Sequence, residues 1–155
     1  MKGGAGGNWR RFDEKFDASI VEQTSGLSCV SAVGKMLLRS RGISISQDAI
    51  RDIIGEPADL GSLALALNHF DSANDGKIWR GITTDHESLD ILFRQKIWAA
   101  ILCEPLSLGH AVLISGRTQK GLINIKDPLD QTSYRRAEAD FLKHWGGQVI
   151  LRWFP

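Results

Sequence analysis

Cys29, His110, Asp127 and Gln23 are the residues of this 155-residue chain whose types and spacing could do chemistry together. A thiol attacks a carbonyl only as thiolate, and a free cysteine holds little of that form at neutral pH. The positive end of a helix and a neighbouring imidazolium both correct this. Cys29 follows the short Gly26-Leu27-Ser28 loop and opens a run of helical periodicity, which puts its sulfur at a helix N-terminus. Gln23, six residues before it, carries an amide able to donate to a developing oxyanion, and the Cys29 N–H offers a second donor. His110 opens an apolar, β-branched run after Leu108-Gly109, and Asp127, seventeen residues on, closes the neighbouring run ahead of Pro128. If those runs pair as a hairpin, histidine and aspartate stand side by side at its open end. A carboxylate there accepts from the imidazole, fixes its tautomer and stabilises its charged form. Singly, each residue has a plainer role: Cys29 as a small core side chain, His110 as a structural histidine, Asp127 as an Asp-Pro turn residue. Together they form the pattern of acyl transfer by an activated thiol.

The remaining candidates are plainer. His69, His86 and His144 fall on predicted helices as surface or boundary residues, and His86-Glu87 lacks the second helical histidine of a zinc protease. Cys103 closes the apolar run Ile97 to Cys103 and reads as core. Two cysteines are too few for a cysteine-based zinc site, a disulfide between them stays open, and no metal or cofactor is expected. Nineteen basic and eighteen acidic residues leave a net charge of +1, which gives no global field for nucleic acid or an anionic membrane. Arg10-Arg11 and Arg135-Arg136 read as solvated charges. No apolar run reaches transmembrane length and no signal-peptide hydrophobic region opens the chain, so a soluble protein without membrane insertion is expected.

The elements that must hold these groups follow from the pattern. Residues 1–8 are a flexible, glycine-rich leader and residues 9–155 one domain. Ser28 caps a helix over about Cys29 to Arg41 with Gly42 as its stop. Ser46 caps a second, with Ile50, Ile53 and Ile54 on one face and Gly55 after it. A third covers Leu60 to Phe70, Lys77 to Ile82 is extended, and Thr84 with Glu87 matches a capping box ahead of Leu89 to Phe93. Ile97 to Cys103, His110 to Gly116 and Leu122 to Lys126 are strands, the last two antiparallel around a loop at 117–121. Ala137 to Trp145 is a last helix stopped by Gly146-Gly147, and Gln148 to Trp153 a last strand. Helices first and strands afterwards give an α+β fold, N-terminal helices packed on a C-terminal antiparallel sheet.

The stretch Gln23-Thr-Ser-Gly-Leu-Ser-Cys29 before a helix, then Gly109-His110-Ala-Val-Leu-Ile and Ile-Lys-Asp127-Pro, resembles the double-glycine leader peptidases. Those are papain-like cysteine peptidases attached to bacteriocin and peptide exporters, and they cut after Gly-Gly. The stretch equally resembles the papain-fold toxin domains of bacterial polymorphic and type VI secretion effectors. The resemblance covers roughly residues 20 to 150. It implies a papain-like fold with Gln23 at the oxyanion, Cys29 as nucleophile, His110 as base and Asp127 as its orienter. Gly109 and Trp145 are the residues expected to meet the substrate, Trp145 as a wall of the cleft if it is not, like the other tryptophans, part of the core. Exporter peptidases usually carry Asp-Cys-Gly where this chain has Ser28-Cys29-Val30, a departure from the pattern that goes with the exporter role and the double-glycine preference, and the stand-alone length and glycine leader fit a toxin domain of a larger effector better. The expected activity is an endopeptidase that cleaves a cytosolic protein in a competing bacterium, after Gly-Gly if the family preference holds. A cognate immunity protein would block it in the producer. The same site would serve a glutamine deamidase or transglutaminase, and a papain-fold binding module without activity is the third reading. Gly3-Gly4, Gly6-Gly7 and Gly146-Gly147 are self-cleavage candidates on that preference, or simply linker and helix stop.

Overall fold

In a computed structural model the structure describes residues 10–24, 28–55, 58–72, 75–103 and 109–155. The leader expected over residues 1–8, the pairs Gly3-Gly4 and Gly6-Gly7, and Gly26-Leu27 lie outside the described residues.

The first helix, α1 (Cys29–Arg39), buries Val30, Val33, Met36 and Leu37 at helical spacing. Ser28 stands at its N-cap, but its side chain makes no capping bond. Its carbonyl instead takes the Ala32 N–H at 3.1 Å and the Ser31 hydroxyl at 3.0 Å. Helix α2 (Gln47–Ile54) is capped as expected, with the Ala49 N–H on Ser46 Oγ at 3.0 Å, and ends at Gly55. Only Ile50 of its isoleucines is fully buried, and Ile53 faces water at 49% exposure. Helix α3 (Leu60–Phe70) has Asp59 as its cap. The capping box at Thr84 does not form. The Asp85 carboxylate reaches the Ser88 N–H instead, and the Thr84 hydroxyl is spent on Ser88 Oγ at 2.7 Å. A 3-10 turn (His86–Ser88) then leads into the short α4 (Leu89–Leu92).

Among the described residues one antiparallel sheet of seven strands runs β1-β6-β5-β4-β3-β7-β2. Its members are β1 (Phe12–Phe16), β2 (Ile78–Thr83), β3 (Trp98–Leu102), β4 (His110–Arg117), β5 (Leu122–Asp127), β6 (Thr132–Ala137) and β7 (Trp145–Trp153), with α5 (Glu138–His144) between the last two. The arrangement is α+β as expected, except that β1 comes from the N-terminal segment and the sheet is not confined to the C-terminal half. Strands β1 and β6 were not legible, because β1 is mostly exposed and the inward residues of β6 are Thr132, Tyr134 and Arg136. Arg136 is 0% exposed, a correction to its reading as a solvated charge, and its Nη2 lies 3.4 Å from His144 Nδ1. The Arg11 side chain is likewise only 7% exposed. Cys103, read as core, is exposed just beyond β3, and both cysteines are free.

Alternation along the strands divides the core. Ala111 and Leu113 of β4 face α1 to α3, among Val33, Leu37, Leu63 and Leu67. Val112 and Ile114 face α4 and α5, with Trp98, Ile125, Tyr134 and Phe141. At the far end, Gly146-Gly147 is not a helix stop but the opening of β7. Gly147 has φ +89°, accepts the Thr84 N–H at 2.8 Å, and a Cβ there would lie 1.8 Å from the Thr84 carbonyl oxygen. Gly146 has open space around it. Gly147→Ala should therefore cost roughly 3 kcal/mol or more in thermal or denaturant unfolding, while Gly146→Ala stays within about 0.5 kcal/mol.

Candidate active site

The N-terminus of α1 lies against the start of β4, and the Ala111 N–H points at Cys29 Sγ from 3.5 Å. Cys29 is 7% exposed and sits in the cluster that joins α1 to Ala111 and Leu113. His110 is the first residue of β4 and Asp127 the last of β5, paired through Leu113 opposite Lys126 and Ile114 opposite Ile125. That hairpin brings the two side chains together: His110 Nε2 donates to Asp127 Oδ1 at 2.5 Å. Nε2 being taken, Nδ1 is the nitrogen left for the thiol, and His110 is among the groups that lower the Cys29 pKa.

Asp127 is 0% exposed, and both of its oxygens are held. Oδ1 also accepts the Leu129 N–H at 2.9 Å, in the turn begun by Pro128, and Oδ2 accepts the Tyr134 hydroxyl at 2.8 Å. Burial by itself would push the Cys29 thiol up and His110 down. Contact with His110, then the N–H groups of Ala111 and Val30, outweigh burial and leave the thiol below its ordinary value. Asp127 first, then Cys29, outweigh it for His110, which rises from an ordinary 6.5 to about 9. The two shifts run in opposite directions, and each favours the charged form of its group, thiolate for Cys29 and imidazolium for His110. Such a sulfur is a nucleophile and such a ring is a proton donor.

Gln23 is tied by its backbone to the segment that follows Asp127. Its N–H donates to the Pro128 carbonyl at 3.1 Å, which ties it to the turn after Asp127. The neighbouring Glu22 carbonyl accepts Gln47 Nε2 at 3.0 Å from α2. Gly109 adopts φ +88°, and a Cβ there would lie 3.0 Å from Ile101 Cγ2 and 3.3 Å from Cys103 Sγ. A side chain is thus strained at the position that enters His110. Trp145 corrects the expectation of a cleft wall. It is 2% exposed, packed against Trp98 and Phe141 with His86 stacked on it, and its Nε1 donates to the Gln148 carbonyl, so it has no face for a peptide. Tyr134 was missed, since its only signal is a strand register that brings it opposite Ile125, two residues before Asp127. Among the described residues no three His, Cys, Asp or Glu side chains gather as metal ligands.

A profile of the Peptidase C39 family matches residues 17–154. The chain is similar to Cysteine protease effector 1 of Escherichia coli O1:K1:H7, 35% identical over 153 residues that make up 98% of this chain and 30% of that protein. The chain thus spans under a third of the curated relative it matches. Its fold is similar to the peptidase domain of Streptococcus ComA, a bifunctional ABC transporter of a quorum-sensing pathway. The TM-score is 0.73 at 19% identity, over 87% of this chain and 97% of that one. It is also similar to a double glycine motif protease from an AMS/PCAT transporter in complex with the leader peptide, with TM-score 0.67 at 14% identity over 92% of each chain.

The opposed shifts decide how the pair is to be tested. Stability from the raised His110 is full below 6.5 and lost as pH rises through about 9. Stability from the lowered Cys29 is full above the ordinary 9.0 and lost as pH falls through its depressed value. The two run oppositely across one range, so thermal stability reports the pair poorly and thiol chemistry reports it directly. Because Cys103 is exposed, the background is Cys103→Ser. In it, iodoacetamide should alkylate Cys29 readily at neutral pH. His110→Ala should slow that rate about ten-fold or more and move its rise to alkaline pH.

Proposed function

Because the chain belongs to the Peptidase C39 family and is a cysteine peptidase, we propose that Cys29 is its nucleophile, His110 its acid and base, Asp127 the orienter of His110, and Gln23 an oxyanion donor. The observation that carries this reading is the buried pair of His110 with Asp127 at the start of β4, where the next residue's N–H, that of Ala111, points at a sulfur at the head of α1. The thiolate adds to a peptide carbonyl, and the Gln23 amide and the Cys29 N–H receive the charge that develops on oxygen. The imidazolium gives its proton to the leaving amine, so the C–N bond breaks and a thioester remains on Cys29. Water, deprotonated by the now neutral imidazole, releases the acyl group and restores the pair.

The proposed setting is that of an effector: secreted, soluble, acting on a protein in the cytoplasm of a competing bacterium, with an immunity protein to cover the cleft in the producer. The relative named as a cysteine protease effector supports it. The proposed site of cleavage follows Gly-Gly, supported by the likeness to a double glycine motif protease. Glycines suit a thiol that is only 7% exposed, because a narrow approach excludes side chains. Residues 1–8 are proposed as linker and 9–155 as the peptidase domain.

The test compares new protein N-termini in bacteria expressing wild type and Cys29→Ala. Wild type should generate cleavages that Cys29→Ala loses by roughly a thousand-fold, with Asp127→Asn impaired less than His110→Ala. A target that gains about one dalton without being cut would replace proteolysis by deamidation. An active Cys29→Ala protein would refute the assignment of the nucleophile.

A further inference from the structure

We propose that Tyr134 is a positioning residue of this site, holding the Asp127 carboxylate at the angle that keeps His110 aimed at Cys29. The inference rests on the assignment of Cys29, His110 and Asp127 above. Tyr134 Oη donates to Asp127 Oδ2 at 2.8 Å, and Asp127 Oδ1 is left to His110 and the Leu129 N–H. The last torsion of an aspartate is soft and two-fold, so a carboxylate bound at one oxygen alone can turn. Bound at both, it cannot. Water cannot take over the second oxygen, because Asp127 is 0% and Tyr134 2% exposed.

The phenol is suited to that duty. Burial first, then the charge of Asp127, hold its pKa well above 10, so the hydroxyl stays a donor throughout the working range. Its ring is clamped as well. The Arg11 guanidinium stands 4.4 Å over the ring centroid, while Arg11 Nη1 pairs with Glu14 at 3.2 Å. Arg11 immediately precedes β1, which itself pairs with β6 through Phe12 opposite Arg135. The N-terminal edge strand therefore braces the residue that braces the dyad, a connection from residue 11 to residue 127 with no counterpart in the spacing of the catalytic residues.

Tyr134→Phe removes the hydroxyl alone and keeps the ring under Arg11. The carboxylate, free to turn, supports the imidazolium less well, and the imidazolium in turn supports the thiolate less well. The measurement is iodoacetamide alkylation of Cys29 across pH in the Cys103→Ser background. Tyr134→Phe should shift the half-rise to higher pH and slow the neutral rate several-fold. In an Asp127→Asn background the same substitution should change neither, because the group it acts through is gone. An unmoved half-rise in the single variant, or an equal shift in both backgrounds, overturns the proposal. Circular dichroism of each variant separates loss of fold from loss of aim, and a variant that unfolds is replaced by Arg11→Ala, which should produce a smaller shift of the same sign or count against the brace. A Cys29 whose alkylation ignores His110→Ala would instead sink the underlying site assignment, so the two failures are distinguishable.

Discussion

An imidazolium removed from water persists only where negative charge stands close enough to replace its lost hydration. His110 is 9% exposed and nevertheless holds its proton to about 9. The two groups that permit this come from different elements. Asp127 is fixed by the hairpin and is itself buried beneath three donors, the ring of His110, the N–H of Leu129 and the hydroxyl of Tyr134. Cys29 arrives on a helix, and its anion is favoured by His110 together with the N–H groups of Ala111 and Val30. Removing one member leaves the others as uncompensated charges in a dry place, and Cys29 and His110 are coupled in their ionisation.

That interdependence explains the architecture around the site. Strand β4 offers Ala111 and Leu113 to α1, and the contact fixes the depth at which the helix N-terminus meets the sheet. Its other parity, Val112 and Ile114, belongs to the face that also carries Tyr134. The site thus gathers groups from both sides of one sheet, which is geometrically available only at a strand end. His110 sits at such an end. The Gln23 segment is tied to the turn after Asp127 by the Pro128 carbonyl and to α2 by the Gln47 side chain, so hydrogen bonds to its backbone fix the segment that carries the proposed oxyanion donor.

The departure from Asp-Cys-Gly has a structural reading in this chain. Ser28 is 1% and Val30 4% exposed, and Val30 packs in the cluster between α1 and the sheet. The flanking side chains are turned into the core while the backbone N–H of Val30 still stabilises the sulfur. A β-branched residue after the nucleophile is therefore absorbed by packing and does not disturb the charge pair.

Local periodicity and termination signals carry their own information, and for that reason α2, α3 and the β4–β5 hairpin could be read from residue order: Ser46, Gly55 and the turn between Arg117 and Leu122 act within a few residues of themselves. So could the proximity of His110 and Asp127, which follows from a short hairpin with few possible registers. What the order of residues could not express was set by partners distant along the chain. Strand β6 reads as polar because its inward Arg136 and Tyr134 are satisfied only after folding, the one near His144 and the other on Asp127. Trp145 reads as a helix-end aromatic but is claimed by the core, since Phe141, Trp98 and Gly147 against Thr84 leave β7 no other course. The sulfur–imidazole pairing and the brace on Asp127 were likewise decided in three dimensions, because an ionisation state depends on what surrounds a group and not on its place in the chain.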